Sequence, residues 1–344
     1  MKRIARIALC TLLFAVPAFA ELTVDQKRTV AKTVAALVDA AFVDEAVAKK
    51  IAADLRAKAG AGAFDNIATE EALAAAITET MHAVEDDKHL SVKYAPDKAP
   101  MPLMNADEAL KAMEESRRPQ PGDGNGPRRR PGGSGLPSPE EARRNNYDVK
   151  TVRHLDGNIG YLQLDTFFPL RDVKDTLSAA MKVLENTDAM IVDLRTNRGG
   201  GQGTVDYLAS YFFPPDERLI LTMRRRGDSE AIESHLVETP TRNFENKPLY
   251  ILVSDKTFSA AEAFAYIMQQ FGRATVVGEK TKGGGRPNAF LPIGGGFMLS
   301  TSIAEVRHPK TGTSWEKTGV IPNVVTTPDA ALDAALKLAR EKKS

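Results

Sequence analysis

Apolar residues recur at helical spacing in three successive stretches near the start of the chain. Thr23-Val-Asp-Gln26 fits a capping box, and Val30, Val34, Leu37, Val38 and Ala41 then fall on one helical face. A second helix is predicted from Asp44, with Val47, Ile51 and Leu55 inward and Gly60 as its stop. A third starts near Thr69 and carries Leu73, Ile77, Met81 and Val84. The high alanine content favours helix and leaves only a thin core, so a small bundle docked on a larger domain is expected. The period then changes. Leu90, Val92 and Tyr94 alternate with His89, Ser91 and Lys93, which predicts a strand over 86–94 leading out of the bundle.

From Asn158 onward short apolar runs alternate with helical patterns. Strands are predicted at 159–165, 190–194, 219–223, 249–253 and 274–278, with helices at 173–184, 207–212 and 259–271. Such alternation argues for a largely parallel sheet with crossover helices. A hairpin follows at 289–293 and 297–301 around Gly294-Gly-Gly296, and a helix at 329–340 ends the pattern. Two of the strands end in turns with chemical potential. One runs into Arg195-Thr-Asn-Arg-Gly-Gly-Gly201, where glycines permit close backbone approach. The other runs through Asp255-Lys-Thr-Phe258 into Ser259 at the start of a helix. Parallel strands place both turns along one sheet edge, where open α/β sheets build their sites. Free N–H groups gather at a helix start, so an oxyanion beside Ser259 would meet the Ala260 amide. Taken alone, a serine there is also an ordinary helix cap.

Asp193-Leu-Arg-Thr-Asn-Arg-Gly-Gly200, Phe258-Ser-Ala-Ala-Glu262, Val277-Gly-Glu-Lys-Thr-Lys-Gly-Gly284 and Glu316-Lys-Thr-Gly-Val-Ile-Pro-Asn323 occur in this order. Together they resemble the tail-specific, or carboxy-terminal processing, serine peptidases, and in particular the branch of tricorn protease and interphotoreceptor retinoid-binding protein. The resemblance covers roughly residues 22–95 and 150–330. It implies an α/β fold with a ClpP/crotonase-like core and an N-terminal helical bundle. It also implies Ser259 as nucleophile, His89 as base, Glu316 orienting the histidine side, and Gly200 with Ala260 as the oxyanion hole. The chain departs from the family at three places. Gly284 stands where the Ser-Lys branch has its lysine, Lys88 where the tricorn tetrad has a serine before its histidine, and Asn323 where an aspartate is usual. Lys280 and Lys282 flank the empty lysine position and are alternative bases. A lysine base needs burial to lower its pKa, which a polar glycine-rich turn does not assure, whereas histidine starts near neutrality. Glu262, one turn below Ser259, suits a helix N-terminus. A second class stays open: a peptidase-like module without activity that binds an apolar ligand or peptide, as in the retinoid-binding relatives.

Composition changes little of this. The chain of 344 residues has a formal net charge of +1, so nothing points to nucleic acid or to an anionic membrane surface. Lys2, Arg3 and Arg6, an apolar run to Val16 and Ala18-Phe-Ala20 read as a signal peptide over 1–20 and as export to the periplasm or medium. The apolar run is too short to span a bilayer. Cys10, the only cysteine, would leave with it, so no disulfide or thiolate chemistry is expected. No histidine pair has metal-ligand spacing, and no cofactor is expected. The remaining boundaries are a helical domain over 21–95, a flexible Pro/Gly/Arg-rich insert over 96–150 and the peptidase-like core over 151–344. The insert is too short and too poor in apolar residues for a PDZ domain, and its Arg128-Arg-Arg130 reads as solvated linker. Expected partners are a peptide or unfolded protein substrate and possible further copies of the chain.

Overall fold

The structure, a computed structural model, describes residues 22–97, 99–117, 139–216, 218–240 and 244–341. The expected signal peptide and the Arg128–Arg130 cluster lie outside them.

Helices α1 (Val24–Ala41), α2 (Glu45–Gly60) and α3 (Glu70–His82) begin at the caps read from the sequence, Thr23, Asp44 and Thr69. The Thr23 hydroxyl accepts from the Gln26 amide at 3.2 Å, and the Gln26 side chain accepts from the Thr23 amide at 2.9 Å. Val84 falls beyond the end of α3 and is exposed, not part of its apolar face. The following strand, β1 (Ser91–Tyr94), is shorter than the alternation suggested. Residues 86–90 fold as a turn because the Asp87 carboxylate accepts from the His89 amide at 2.8 Å and the Asp87 carbonyl from the Leu90 amide at 3.0 Å. Within the stretch read as an insert, α4 (Ala106–Arg117) buries Ala109 and Met113 in the bundle's core.

The α/β part runs α5 (Pro139–Arg144), β2 (Val149–Leu155), β3 (Ile159–Leu164), α6 (Leu170–Val183), β4 (Ala189–Asp193) and α7 (Gln202–Ser210). It continues with β5 (Leu219–Arg225), β6 (Ile232–His235), β7 (Leu249–Val253), α8 (Ala260–Gln270) and β8 (Thr275–Gly278). The last elements are β9 (Asn288–Gly294), β10 (Phe297–Ser302), β11 (Ala304–Arg307), β12 (Val324–Val325) and α9 (Ala331–Glu341). The central sheet has the order β12-β8-β7-β4-β3-β2, parallel except for β2 against β3. Side chains alternate across its strands. Met190 and Val192 face the core shared with α6, α7 and α8, whereas Ala189 and Ile191 face the core that includes Ala331, Ala335 and Ala339 of α9. This is the α/β core with an N-terminal helical bundle that the sequence leads one to expect.

The predicted hairpin β9–β10 forms, but β10 pairs with β1 and not with the central sheet. Leu291, Ile293, Phe297 and Leu299 thereby join the core of the helical bundle. A bundle that looked thin in sequence is completed by an apolar face lent from much further along the chain. β5, β6 and β11 make a third, antiparallel sheet.

Candidate active site

Neighbouring strands β4 and β7 end side by side, with Asp193 paired to Leu252. Polar side chains tie the two outgoing turns together: the Thr257 hydroxyl donates to the Leu194 carbonyl at 2.8 Å, and that of Ser254 to the Arg195 carbonyl at 2.5 Å. Where α8 starts, Ser259 sits at φ 56° and ψ −119°. A positive φ of this kind is sparsely populated for a residue with a side chain and costs about 1–3 kcal/mol. It makes the sharp strand-to-helix turn that presents a nucleophile. Its backbone N–H is held at 2.8 Å by the Glu262 carboxylate, one turn into α8.

The glycine turn packs directly against this elbow. A Cβ on Gly199 would lie 2.8 Å from the Ser259 Cβ and 3.1 Å from the Ala260 nitrogen, so only glycine fits. Gly200, at φ 141°, forms a parallel bridge with Phe167, in which the Phe167 amide bonds the Gly199 carbonyl and the Gly201 amide bonds the Phe167 carbonyl. That pattern leaves the Gly200 amide out of the ladder. Among the described residues neither it nor the Ala260 amide donates to any acceptor. The two free donors flank Ser259, the arrangement an oxyanion hole requires.

His89 reaches the elbow from the other half of the molecule. Its Nε2 lies 3.1 Å from the Ser259 Oγ. The ring is buried and stacks on Phe258 with centroids 4.5 Å apart. Its backbone is fixed at both ends, the amide by Asp87 and the carbonyl by the Ser300 hydroxyl of β10 at 2.5 Å. His82 Nε2 lies 2.6 Å from the next carbonyl, that of Leu90. Burial pushes the His89 imidazole well below its ordinary pKa, opposed by the nearby Asp87 carboxylate. The ring is therefore neutral at neutral pH, the form that can take a proton from serine.

Glu316 is half-buried. One carboxylate oxygen accepts from the Gly285 amide at 2.7 Å, and the other, Oε1, is buried without a partner. Burial first, and Asp87 second, push its pKa up to about 7. The Nδ1 of His89 is the matching orphan. A buried polar atom left unpaired costs about 1–3 kcal/mol, so each of these two atoms is poised for a partner. Lys88, where the tricorn pattern has a serine, turns its ammonium to Asp86 at 2.7 Å.

The alternative bases are elsewhere. Lys280 and Lys282 are exposed, and the Lys282 ammonium lies 5.5 Å from the Phe258 ring centroid. At Gly284 a Cβ would overlap the Phe258 ring and lie 2.9 Å from the His89 Cε1. The position a dyad lysine would occupy is therefore filled by the histidine arrangement itself.

Four residues do more in the structure than their sequence context suggests. Glu262 is more than a favourable charge at a helix start. It is fully buried and accepts from Ser259, the Thr281 hydroxyl, Gly283 and Gly284, at 2.6–2.9 Å. Burial raises its pKa and these bonds oppose the rise. Asn197, buried, donates to the Leu164 carbonyl at 2.7 Å and accepts from the Gly199 amide at 2.8 Å, shaping the glycine turn. Asp87 and Arg286 form an ion pair behind His89. Glu262 and Asn197 lay within the quoted motifs; nothing in the local pattern marks Arg286.

Residues 158–326 match peptidase family S41, and residues 21–122 match the N-terminal domain of Peptidase_S41 in eukaryotic IRBP. The chain belongs to the S41 peptidases. This S41 chain is 28% identical over 186 residues to the carboxy-terminal-processing protease of Bartonella bacilliformis, covering 52% of itself and 41% of that protein. It is 30% identical over 170 residues to the carboxyl-terminal-processing protease of Synechocystis sp., covering 49% and 38%. The chain thus spans about two fifths of the length of these relatives. In fold it is similar to tricorn protease, with a TM-score of 0.55 at 16% identity, over 93% of this chain and 37% of that one. Among the described residues no cluster of metal-ligating side chains occurs, and no helix is long and apolar enough to cross a membrane.

Proposed function

We propose that this S41 chain is an exported serine peptidase that cleaves polypeptide substrates through an acyl-enzyme on Ser259. The observation that carries the reading is the 3.1 Å contact between Ser259 Oγ and His89 Nε2, made at a strained elbow flanked by two free amides. Ser259 Oγ attacks the scissile carbonyl carbon as its proton passes to His89 Nε2. The carbonyl oxygen takes the electron pair and is held by the Gly200 and Ala260 amides. Collapse breaks the C–N bond, and His89 returns the proton to the leaving amine. Water then repeats the sequence on the ester, with His89 again as base, and frees Ser259 with a carboxylic acid. Glu316, whose free Oε1 is buried as the His89 Nδ1 is, stabilises the imidazolium that forms in each half. The carboxy-terminal processing named for the relatives suggests attack near substrate C-termini. Export rests on the pattern of the first twenty residues and predicts Glu21 as the mature N-terminus, which intact-mass measurement of secreted protein would check.

The test is turnover of casein or a fluorogenic peptide by the wild type and by Ser259→Ala, His89→Ala, Lys280→Ala and Lys282→Ala, with folding followed by circular dichroism. Loss of a general base should lower kcat by about 10²–10⁴ in His89→Ala, with both lysine variants near wild type. A folded His89→Ala with wild-type kcat beside a dead Lys282→Ala would overturn the assignment. Folded wild-type protein without turnover would favour the ligand-binding module instead.

A further inference from the structure

Successive residues of the turn after β8 bond three parts of the site. The Gly283 and Gly284 amides bond Glu262, which holds the serine elbow. The Gly285 amide bonds Glu316. Arg286 then reaches across to the helical part, where one guanidinium nitrogen lies 3.2 Å from Asp87 Oδ2 and 3.0 Å from Glu85 Oε1. The Arg286 side chain is only 13% exposed and Asp87 is fully buried. The guanidinium also lies over the ring of Phe42, 5.6 Å from its centroid. Asp87 is the residue whose other oxygen holds the His89 amide. The Asp87 carboxylate is thus shared between the histidine backbone and a cation anchored beside the serine.

On the peptidase reading above, we infer that Arg286 is a positioning residue: acting through Asp87, it keeps His89 in register with Ser259 across the boundary between bundle and core. The ion pair is more than decorative. A buried carboxylate left without its cation is costly, so removing Arg286 would loosen Asp87 and with it the His89 amide, while its charge stays beside the imidazole. The guanidinium also meets three carboxylates, Asp87 and Glu85 through one nitrogen and Glu305 at 3.9 Å through the other, which a point charge on a flexible stem does not do equally well. Lys317, at 2.7 Å from Glu85, reinforces the outer carboxylate but is not paired with Asp87.

Asp87 is the charge that acts directly on the histidine; around it and its ion pairs stand Glu85 from the same turn, and Arg286 and Lys282 from the glycine-rich segment. Glu316 and Lys317 come from the loop before β12, Glu305 from β11, and Glu262 stands behind Gly284. Removing the Arg286 cation leaves Asp87 to favour imidazolium, whereas Asp87→Asn removes that support. The two changes must therefore move the acid limb of kcat/KM in opposite directions, which loss of packing alone would not do.

The experiment measures kcat, KM and the pH dependence of kcat/KM for wild type, Arg286→Met, Arg286→Lys and Asp87→Asn. Arg28→Met, which breaks an ion pair inside the bundle, serves as stability control. Arg286→Met should lose about tenfold to a hundredfold in kcat with KM within about threefold, the pattern of a misplaced catalytic group. Its acid limb should rise by about one unit, the scale expected for a nearby charge. Arg286→Lys should return the limb close to wild type and recover part of kcat. In Asp87→Asn the limb should fall, which tests the idea even if Arg286→Met does not fold. Limbs unmoved in all variants, or kcat losses in Arg286→Met no greater than in Arg28→Met, would overturn the inference while leaving the peptidase intact. Wild-type protein without turnover would sink both.

Discussion

Ser259 is held in a conformation that costs about 1–3 kcal/mol, and the side chain that compensates is Glu262, which accepts four hydrogen bonds in a buried site. Glu262→Ala leaves those donors unsatisfied, at about 1–3 kcal/mol for each that finds no water. It should lower the thermal midpoint by several degrees and abolish turnover. A variant of wild-type Tm and kcat would show that the elbow supports itself. Glu316 makes the pH prediction. With a pKa of about 7 it is largely neutral in mild acid, and as it ionises it stabilises imidazolium, so kcat should rise through pH 7. Glu316→Gln should lack that limb and stay at the low plateau. The stability effect has the opposite sense. A carboxyl whose pKa is raised above its ordinary 4.5 stabilises the fold fully below that value and loses the contribution as pH rises through about 7. Glu316→Gln should therefore gain in Tm relative to wild type more at pH 8.5 than at pH 5. The meeting of Ser259 with His89 was legible because a motif holds the serine and the family resemblance extends to the histidine. The work of Asp87 and Arg286 was not, because it exists only once residues 199 positions apart meet.

The element that ties these groups together is the glycine-rich segment after β8. Its glycines leave room for other atoms, and Gly284 in particular makes space for Phe258 and His89. Gly284→Lys, which restores the residue type of the Ser-Lys branch, should not create a second base. It should displace the Phe258 ring, lower kcat by at least about tenfold and lower the Tm, since overpacking costs about 1–3 kcal/mol. An active Gly284→Lys, His89→Ala double variant would contradict this. The helices and the parallel strands of the central sheet were readable because their periods and caps are local. The partner of β10 was not. A hairpin shows its turn in the sequence but not the sheet it joins, and here Ser91 to Tyr94 lie far upstream of the residues they pair. The 86–90 turn was missed for a related reason: its alternation looked like strand, and Asp87 bends it.

At the scale of the whole molecule, Ser259 and the amides of Gly200 and Ala260 belong to the α/β part, and His89 arrives from the helical part. The two share the β9–β10 hairpin and the Arg286 ion pairs, so damage deep in the bundle should reach the chemistry. Leu37→Ala, at a fully buried bundle position, should cost about 2–5 kcal/mol and move loss of turnover and loss of near-ultraviolet circular dichroism to the same lower urea concentration. Turnover that outlasts bundle unfolding would mean that His89 is dispensable. The most direct test of the central claim, that His89 activates Ser259, is the rate of covalent labelling by a fluorophosphonate, with the modified residue located by mass spectrometry. A single adduct on Ser259 is expected in the wild type, none in Ser259→Ala, and labelling slowed by about 10²–10⁴ in His89→Ala. Folded wild type that does not label, or His89→Ala that labels at the wild-type rate, would contradict it.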